Sequence, residues 1–230
     1  MSYNLVIICS AIHTNSNPLD YTPSRSYFSH EQRFHQTLET IEKLREKIPD
    51  IYIVFVEVTK LSEEYQSCLK NKVNYLYETC HNEEIYRITE GPYKGWGEVT
   101  SLLSYLTSPH FIEFKNKINS VSKISGRYKP NNHFIFELLN DSIICKINYN
   151  NPHHYSKIHM STMFYTIPIT LIDKFIKALE STCLNNEIRS GVALEHILPL
   201  YMLKENINLT NKNILYVEGE YGPWGGYVMH

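Results

Sequence analysis

Two short, almost wholly apolar runs, Leu5 to Cys9 (LVIIC) and Ile51 to Val58 (IYIVFVEV), bracket a single amphipathic segment. Apolar runs of that length suit strands buried on both faces, the condition found inside a parallel sheet covered by helices. Between them Phe34, Leu38, Ile41, Leu44 and Ile48 recur at three- and four-residue spacing and predict a helix with one apolar stripe. Ser29 and Gln32 form a capping box at its start, and Pro49 ends it. A strand, a crossover helix and a second strand in this order impose a parallel pairing.

The same alternation continues. Ser62-Glu63-Glu64 opens a short helix reaching about Asn71, and Asn74 to Thr79 reads as a third strand. Gly95 to Leu106 reads as a helix and Asn119 to Ser125 as a fourth strand that stops at Gly126. Further strands are expected at Ser142 to Ile147, Ser161 to Tyr165 and Ile214 to Val217, and further helices at Ile169 to Leu179 and Val192 to Leu203. With no repeat and no linker, the 230 residues read as one α/β domain, 1–230, with a mostly parallel, Rossmann-related sheet flanked by helices.

Composition removes several classes. Hydrophobic residues at 43% and charged residues at 20% are globular proportions and exclude general disorder. A net charge of -2 lacks the basic excess of a nucleic-acid binder, so no nucleic-acid partner is expected. Cys9, Cys68, Cys80, Cys145 and Cys183 are scattered and without a C-x-x-C pair, the usage of reduced thiols in a cytoplasmic protein. No apolar stretch approaches the ~20 residues of a membrane span. Gly-x-Gly-x-x-Gly and the P-loop pattern are absent, and the Ser10–Ser29 loop holds no glycine, which sets aside kinase and dehydrogenase chemistry.

In an open parallel sheet, ligands bind where loops diverge from the carboxyl ends of the strands. Three segments occupy such places. Ser10-Ala11 follows the first strand and either admits a nucleoside or ribose or simply starts a loop. Lys94-Gly95-Trp96-Gly97-Glu98 precedes a helix; Lys94 can meet a phosphate and Glu98 a sugar hydroxyl, or the segment is a turn with a first-turn carboxylate. Lys123-Ile124-Ser125-Gly126-Arg127-Tyr128 puts a guanidinium at a strand end beside a glycine, suited to a phosphate or to a nearby carboxylate. Glu195-His196 lies in an apolar helical stretch, where Glu195 either serves as a general base, holds a sugar hydroxyl or points outward. His153, His154 and His159 lack a fixed ligand spacing and read as a solvated loop, and Tyr221 to Gly226 (YGPWGG) reads as either a lid or a tail.

The order of Ser29-His30-Glu31-Gln32-Arg33-Phe34, Arg45-Glu46-Lys47-Ile48-Pro49, Lys94 to Glu98 and Lys123 to Tyr128 resembles small glycosyltransferase-like proteins of bacterial surface-polysaccharide loci and large DNA viruses, of the nucleotide-diphospho-sugar transferase (GT-A) fold. The resemblance spans roughly residues 4 to 220. It implies transfer of a sugar from a nucleotide-sugar donor to a glycan hydroxyl, with Ser10, Ala11, Lys94, Gly95, Glu98, Lys123, Ser125, Gly126, Arg127 and His196 about the donor and Glu195 and Arg127 as catalytic groups. Members of that fold commonly hold a metal at the end of the fourth strand. Here Ser125-Gly126-Arg127 stands there and the chain has no Asp-x-Asp, so no metal or other cofactor is expected and Arg127, Lys94 and Lys123 supply the charge. The alternative is a non-catalytic module of the same fold that binds a glycan or a protein partner.

Overall fold

The structure is a computed structural model that describes residues 2–15, 17–150, 155–220 and 226–230. Its centre is a seven-stranded sheet built from β1 (Tyr3–Ser10), β2 (Ile51–Glu57), β3 (Tyr75–Glu78), β4 (Ile118–Ser125), β6 (Ser142–Cys145), β9 (Phe164–Pro168) and β10 (Asn208–Asn211), in the order β10-β6-β9-β4-β1-β2-β3. β1 pairs in parallel with β2 and β4, β2 with β3, and β6 with β10; β9 alone runs antiparallel to its neighbours. A three-stranded sheet of β5 (Tyr128–Pro130), β11 (Val217–Glu220) and β12 (Tyr227–Met229) continues from the end of β4, and β7 (Ile147–Asn148) pairs with β8 (His159–Met160).

Helices cover both faces, as the continuous apolar runs require. Leu5, Ile7 and Cys9 of β1 pack with α4 (Lys94–Leu106), α6 (Ile172–Leu184) and α7 (Leu194–Lys204). Val6 and Ile8, of opposite parity, pack with α1 (His30–Lys47) and α2 (Glu63–Lys72). The capping box of α1 is present in both directions, Gln32 N on Ser29 Oγ and Ser29 N on Gln32 Oε1, and Ser62 caps α2. Among the described residues no helix is long and apolar enough to cross a membrane.

Four expectations change. The strand read at Ser161–Tyr165 lies at Phe164–Pro168, because Phe164 to Pro168 pair with Ile124 to Ser120 of β4 and leave 161–163 as connection. The helix read from Ile169 begins as a 3-10 turn and becomes α6 at Ile172. The strand read at Ile214–Val217 begins only at Val217 and belongs to the small sheet, while polar Asn208–Asn211 supplies the last strand of the large one. Two short helices, α3 (Glu83–Thr89) and α5 (Pro109–Phe114), have no counterpart in the sequence reading. His153, His154 and most of the Tyr221–Gly226 segment lie outside the described residues.

The loop from Ala11 to Ser29 is strapped across the carboxyl ends of the strands. Arg25 Nη1 donates to Glu90 O at 3.0 Å, and its Nη2 donates to Thr89 O at 2.6 Å and Gly91 O at 2.8 Å. Those carbonyls belong to the α3–α4 turn. Farther along, Asp20 meets Gly191, whose φ of 101° is in the left-handed region and whose added Cβ would stand 2.3 Å from Asp20 Oδ2. Gly191→Ala is therefore expected to lower stability by about 1–2 kcal/mol, the cost of a left-handed L-residue, and to push Asp20 off its seat. Urea denaturation of both proteins checks the value.

Candidate functional site

Two adjoining hollows open at the carboxyl ends of β1, β2 and β4. The inner one, about 100 Å³, is lined by Ser10, Ala11, Arg25, Arg33, Ser125 and Arg127 among others. The outer chamber, about 570 Å³, is lined by Asp20, Gly95, Lys146, His159, Glu195 and His230 among others. Lys94 and Glu98 line both. They share a wall because residues four apart in α4 fall on one helix face. The three segments singled out in the sequence thus meet on a single rim.

The floor beneath that wall is a buried ion pair. Lys123 is 1% exposed and points from β4 toward α4, where Nζ donates to Glu98 Oε1, to Ser125 Oγ at 3.0 Å and to Thr162 O. All three donors of the ammonium are used. Burial pushes the Glu98 carboxyl up, but Lys123, Lys94 and Arg127 together outweigh it and hold it below the usual carboxylate range.

Around the inner hollow the cations crowd one another. Arg33, 5% exposed in the first turn of α1, donates from Nε to Ala11 O at 2.6 Å and from Nη1 to Ser26 Oγ at 3.0 Å. Desolvation, then Arg127 and Arg25, hold its guanidinium below the usual arginine range, against the opposing pull of Glu57. Glu57 is fully buried at the end of β2. Its Oε1 accepts from Ile12 N at 3.0 Å, Thr59 N at 2.9 Å and the Thr59 hydroxyl, which fastens the loop after β1 to the loop after β2. Lys94 stands at the start of α4 between the two hollows. The residue is exposed at the rim, and partial desolvation there, with Arg127 adding repulsion, lowers its ammonium to about 8 against Glu98 and Glu195. Cys9 also lines the inner hollow, but burial pushes its thiol up to about 12, so it is a packed sulfur and not a nucleophile.

The outer chamber collects two helix starts. Neither α4, after Tyr93, nor α7, after Ala193, has a side-chain cap, and both first turns face the chamber. Gly95 permits this approach: an added Cβ would lie 3.2 Å from both the Leu194 N and Cβ atoms. Such starts carry unsatisfied N–H groups that favour anions. Glu195, in the first turn of α7, accepts from Thr162 Oγ1 at 2.8 Å. No protein-family model matches the chain, and no curated protein matches it. The reading of this site rests on its own geometry.

Three of the residues expected around a donor do not line either hollow. Lys123 is consumed beneath the floor. Gly126 is buried where β1 and β4 converge, with its N donating to Cys9 O at 2.9 Å and an added Cβ falling 3.0 Å from Ser10 Cβ; it shapes the rim without lining either hollow. His196 is 6% exposed under the chamber wall, its Nδ1 3.4 Å from Ile158 O and its ring edge-on to His159 at 5.1 Å. Arg25, Arg33, Glu57 and Asp20 were absent from the expected set. Among the described residues one group has metal-ligand geometry, Glu78, Cys80 and His81 after β3, and it lines neither hollow.

Removing one partner of the floor pair leaves the other charge stranded. Lys123→Met is expected to cost about 3–5 kcal/mol, and Lys123→Met with Glu98→Leu to recover most of that loss. Chemical denaturation of the single and double variants measures the difference.

Proposed function

We propose that the chain is a glycosyltransferase that moves a sugar from a nucleotide-diphosphate donor to a hydroxyl acceptor, using side-chain cations where many such enzymes use a metal. The observation that carries this reading is the shared wall of Lys94 and Glu98 between a small arginine-lined hollow and a larger chamber containing a carboxylate. A diphosphate is the anion best suited to Arg33, Arg127 and Lys94 together, since guanidinium forks match phosphate oxygens. The inner hollow, about 100 Å³, is of a size for phosphoryl groups, so in this scheme the nucleoside extends beyond it. The sugar crosses Lys94 into the chamber, whose volume is within the roughly 300–1,000 Å³ of small-molecule sites.

In this scheme the acceptor oxygen attacks the anomeric carbon as the carbon–oxygen bond to the diphosphate breaks. The departing electron pair stays on the phosphate oxygen facing Lys94 and Arg127, whose positive charge is already in place. The acceptor proton passes to Glu195, which the Thr162 hydroxyl orients. The five cysteines are all free, which supports a reducing, cytoplasmic place of action for this transfer. A glycan-binding module of the same fold would bind the donor without consuming it.

Thermal shift with UDP-, GDP- and dTDP-sugars is expected to raise Tm for one donor, with CMP-sugars as the monophosphate control, and Arg127→Ala to abolish that shift. Glu195→Gln is expected to keep donor binding but lower turnover about 100-fold or more; unchanged turnover would transfer the base role elsewhere, and silence across the whole panel would overturn the reading. A second outcome concerns pH. Lys94 is charged below about 8 and loses its proton above, so affinity for the matching nucleoside diphosphate is expected to fall about tenfold between pH 7 and 9, the worth of one charge-assisted hydrogen bond. Lys94→Met flattens that profile if the assignment holds, as calorimetric titration across the range would reveal.

A further inference from the structure

The outer chamber has a second polar end, one ammonium and two imidazoles, that the transfer step above does not use. Lys146 follows β6, His159 opens β8 and His230 closes the small sheet, and all three line this chamber. Main-chain bonds hold them in place. Lys146 O accepts from Ser161 N at 2.8 Å, β7 pairs Asn148 with His159, and His230 exchanges backbone bonds with Val217 at 2.8 and 3.1 Å.

Their polar atoms are incompletely satisfied by the protein. Among the described residues Lys146 Nζ has no hydrogen-bond acceptor and no carboxylate within 4.0 Å, although the residue is half-buried. Both ring nitrogens of His230 are shut off from solvent without a hydrogen-bond partner. Burial, followed by the nearby charges of Lys146 and His159, holds its imidazole below the ordinary range. Buried polar groups are normally paired, and a half-buried ammonium without a counter-charge, beside ring nitrogens without a partner, is an environment that an anionic hydrogen-bonding group would complete. The chamber's acidic side chains are engaged elsewhere: Glu98 is bound to Lys123, Glu195 accepts from Thr162, and Asp20 accepts from the backbone of Asp20 and Tyr21.

We propose that Lys146 and His159, backed by His230, form a subsite for a carboxylate or phosphate carried by the saccharide, so that one substrate of the chain is an acidic sugar. The inference rests on reading the chamber as the saccharide site and adds the charge of the saccharide. The acidic group belongs either to the donor sugar or to the acceptor, and the two are separable.

Calorimetric titration of the full chain distinguishes them. UDP-glucuronate against UDP-glucose tests the donor; glucuronate and glucose 6-phosphate against glucose, in the presence of saturating UDP, test the acceptor. The acidic member is expected to bind at least about tenfold tighter in one arm. Lys146→Gln should erase that preference and Lys146→Glu reverse it, both leaving UDP affinity unchanged and both melting like the parent. Equal affinities for acidic and neutral partners in both arms, or a preference that survives Lys146→Gln, overturn the subsite. If UDP binds and the preference is absent, this inference alone fails. If UDP, GDP, dTDP and CMP all fail to bind but glucose 6-phosphate binds in a Lys146-dependent way, the subsite stands and the transferase reading falls. Silence from every probe overturns both.

Discussion

The buried contact between Lys123 and Glu98 organises the rest of the site. β4 presents Lys123 to a face otherwise occupied by Val121, Leu102 and Leu106, where a lone ammonium would be intolerable. Glu98 supplies the counter-charge from α4, and Ser125 and Thr162 fill the remaining donor positions. One interaction thereby fixes the height of α4 over the sheet, the end of β4 and the connection leading into β9. Lys94 is carried one turn earlier on the same helix face, which is why a single wall separates two chemically different hollows.

Above that floor, positive charge is gathered at a cost that the protein covers with its own backbone. Arg25 is held by three carbonyls and Arg33 by one carbonyl and a hydroxyl, so neither depends on a ligand to be in position. Desolvation, with crowding added, lowers the proton affinity of Arg33 and Lys94. Under the proposed function an incoming dianion would relieve the repulsion, and because Arg25 and Arg33 are already oriented, little ordering of them would remain.

The parts of this architecture that could be read from sequence are those written in local pattern. The first two strands are continuous apolar runs, and the capping box of α1 spans four residues, so both were visible without knowledge of partners. β9 is different: Thr166, Ile167 and Pro168 become strand only by pairing with Ser122, Val121 and Ser120. β10, with the sequence Asn-Leu-Thr-Asn, has no apolar pattern and exists as an edge beside β6. For the site, the rule about strand ends located Ser10, Lys94, Glu98, Ser125 and Arg127 along one rim. It could not foresee that Lys123 points inward, nor that Arg25 and Arg33, from an aperiodic loop and a helix start, reach carbonyls as many as 66 and 22 residues away. Glu57 left a faint trace, as a carboxylate closing an apolar run that nothing else in the sequence accounted for.

The small sheet has a geometric consequence of its own. β5 starts one residue after Arg127, Gly219 of β11 packs so closely that an added Cβ would stand 2.3 Å from Arg127 O, and on the other edge of β11 the backbone of Val217 holds His230. A guanidinium at one cavity and an imidazole at the other are therefore mounted on the same ribbon. Under the proposed reading their separation would act as a ruler: a ligand reaching both ends would have to match its span, and one too short or too long would engage only a single end.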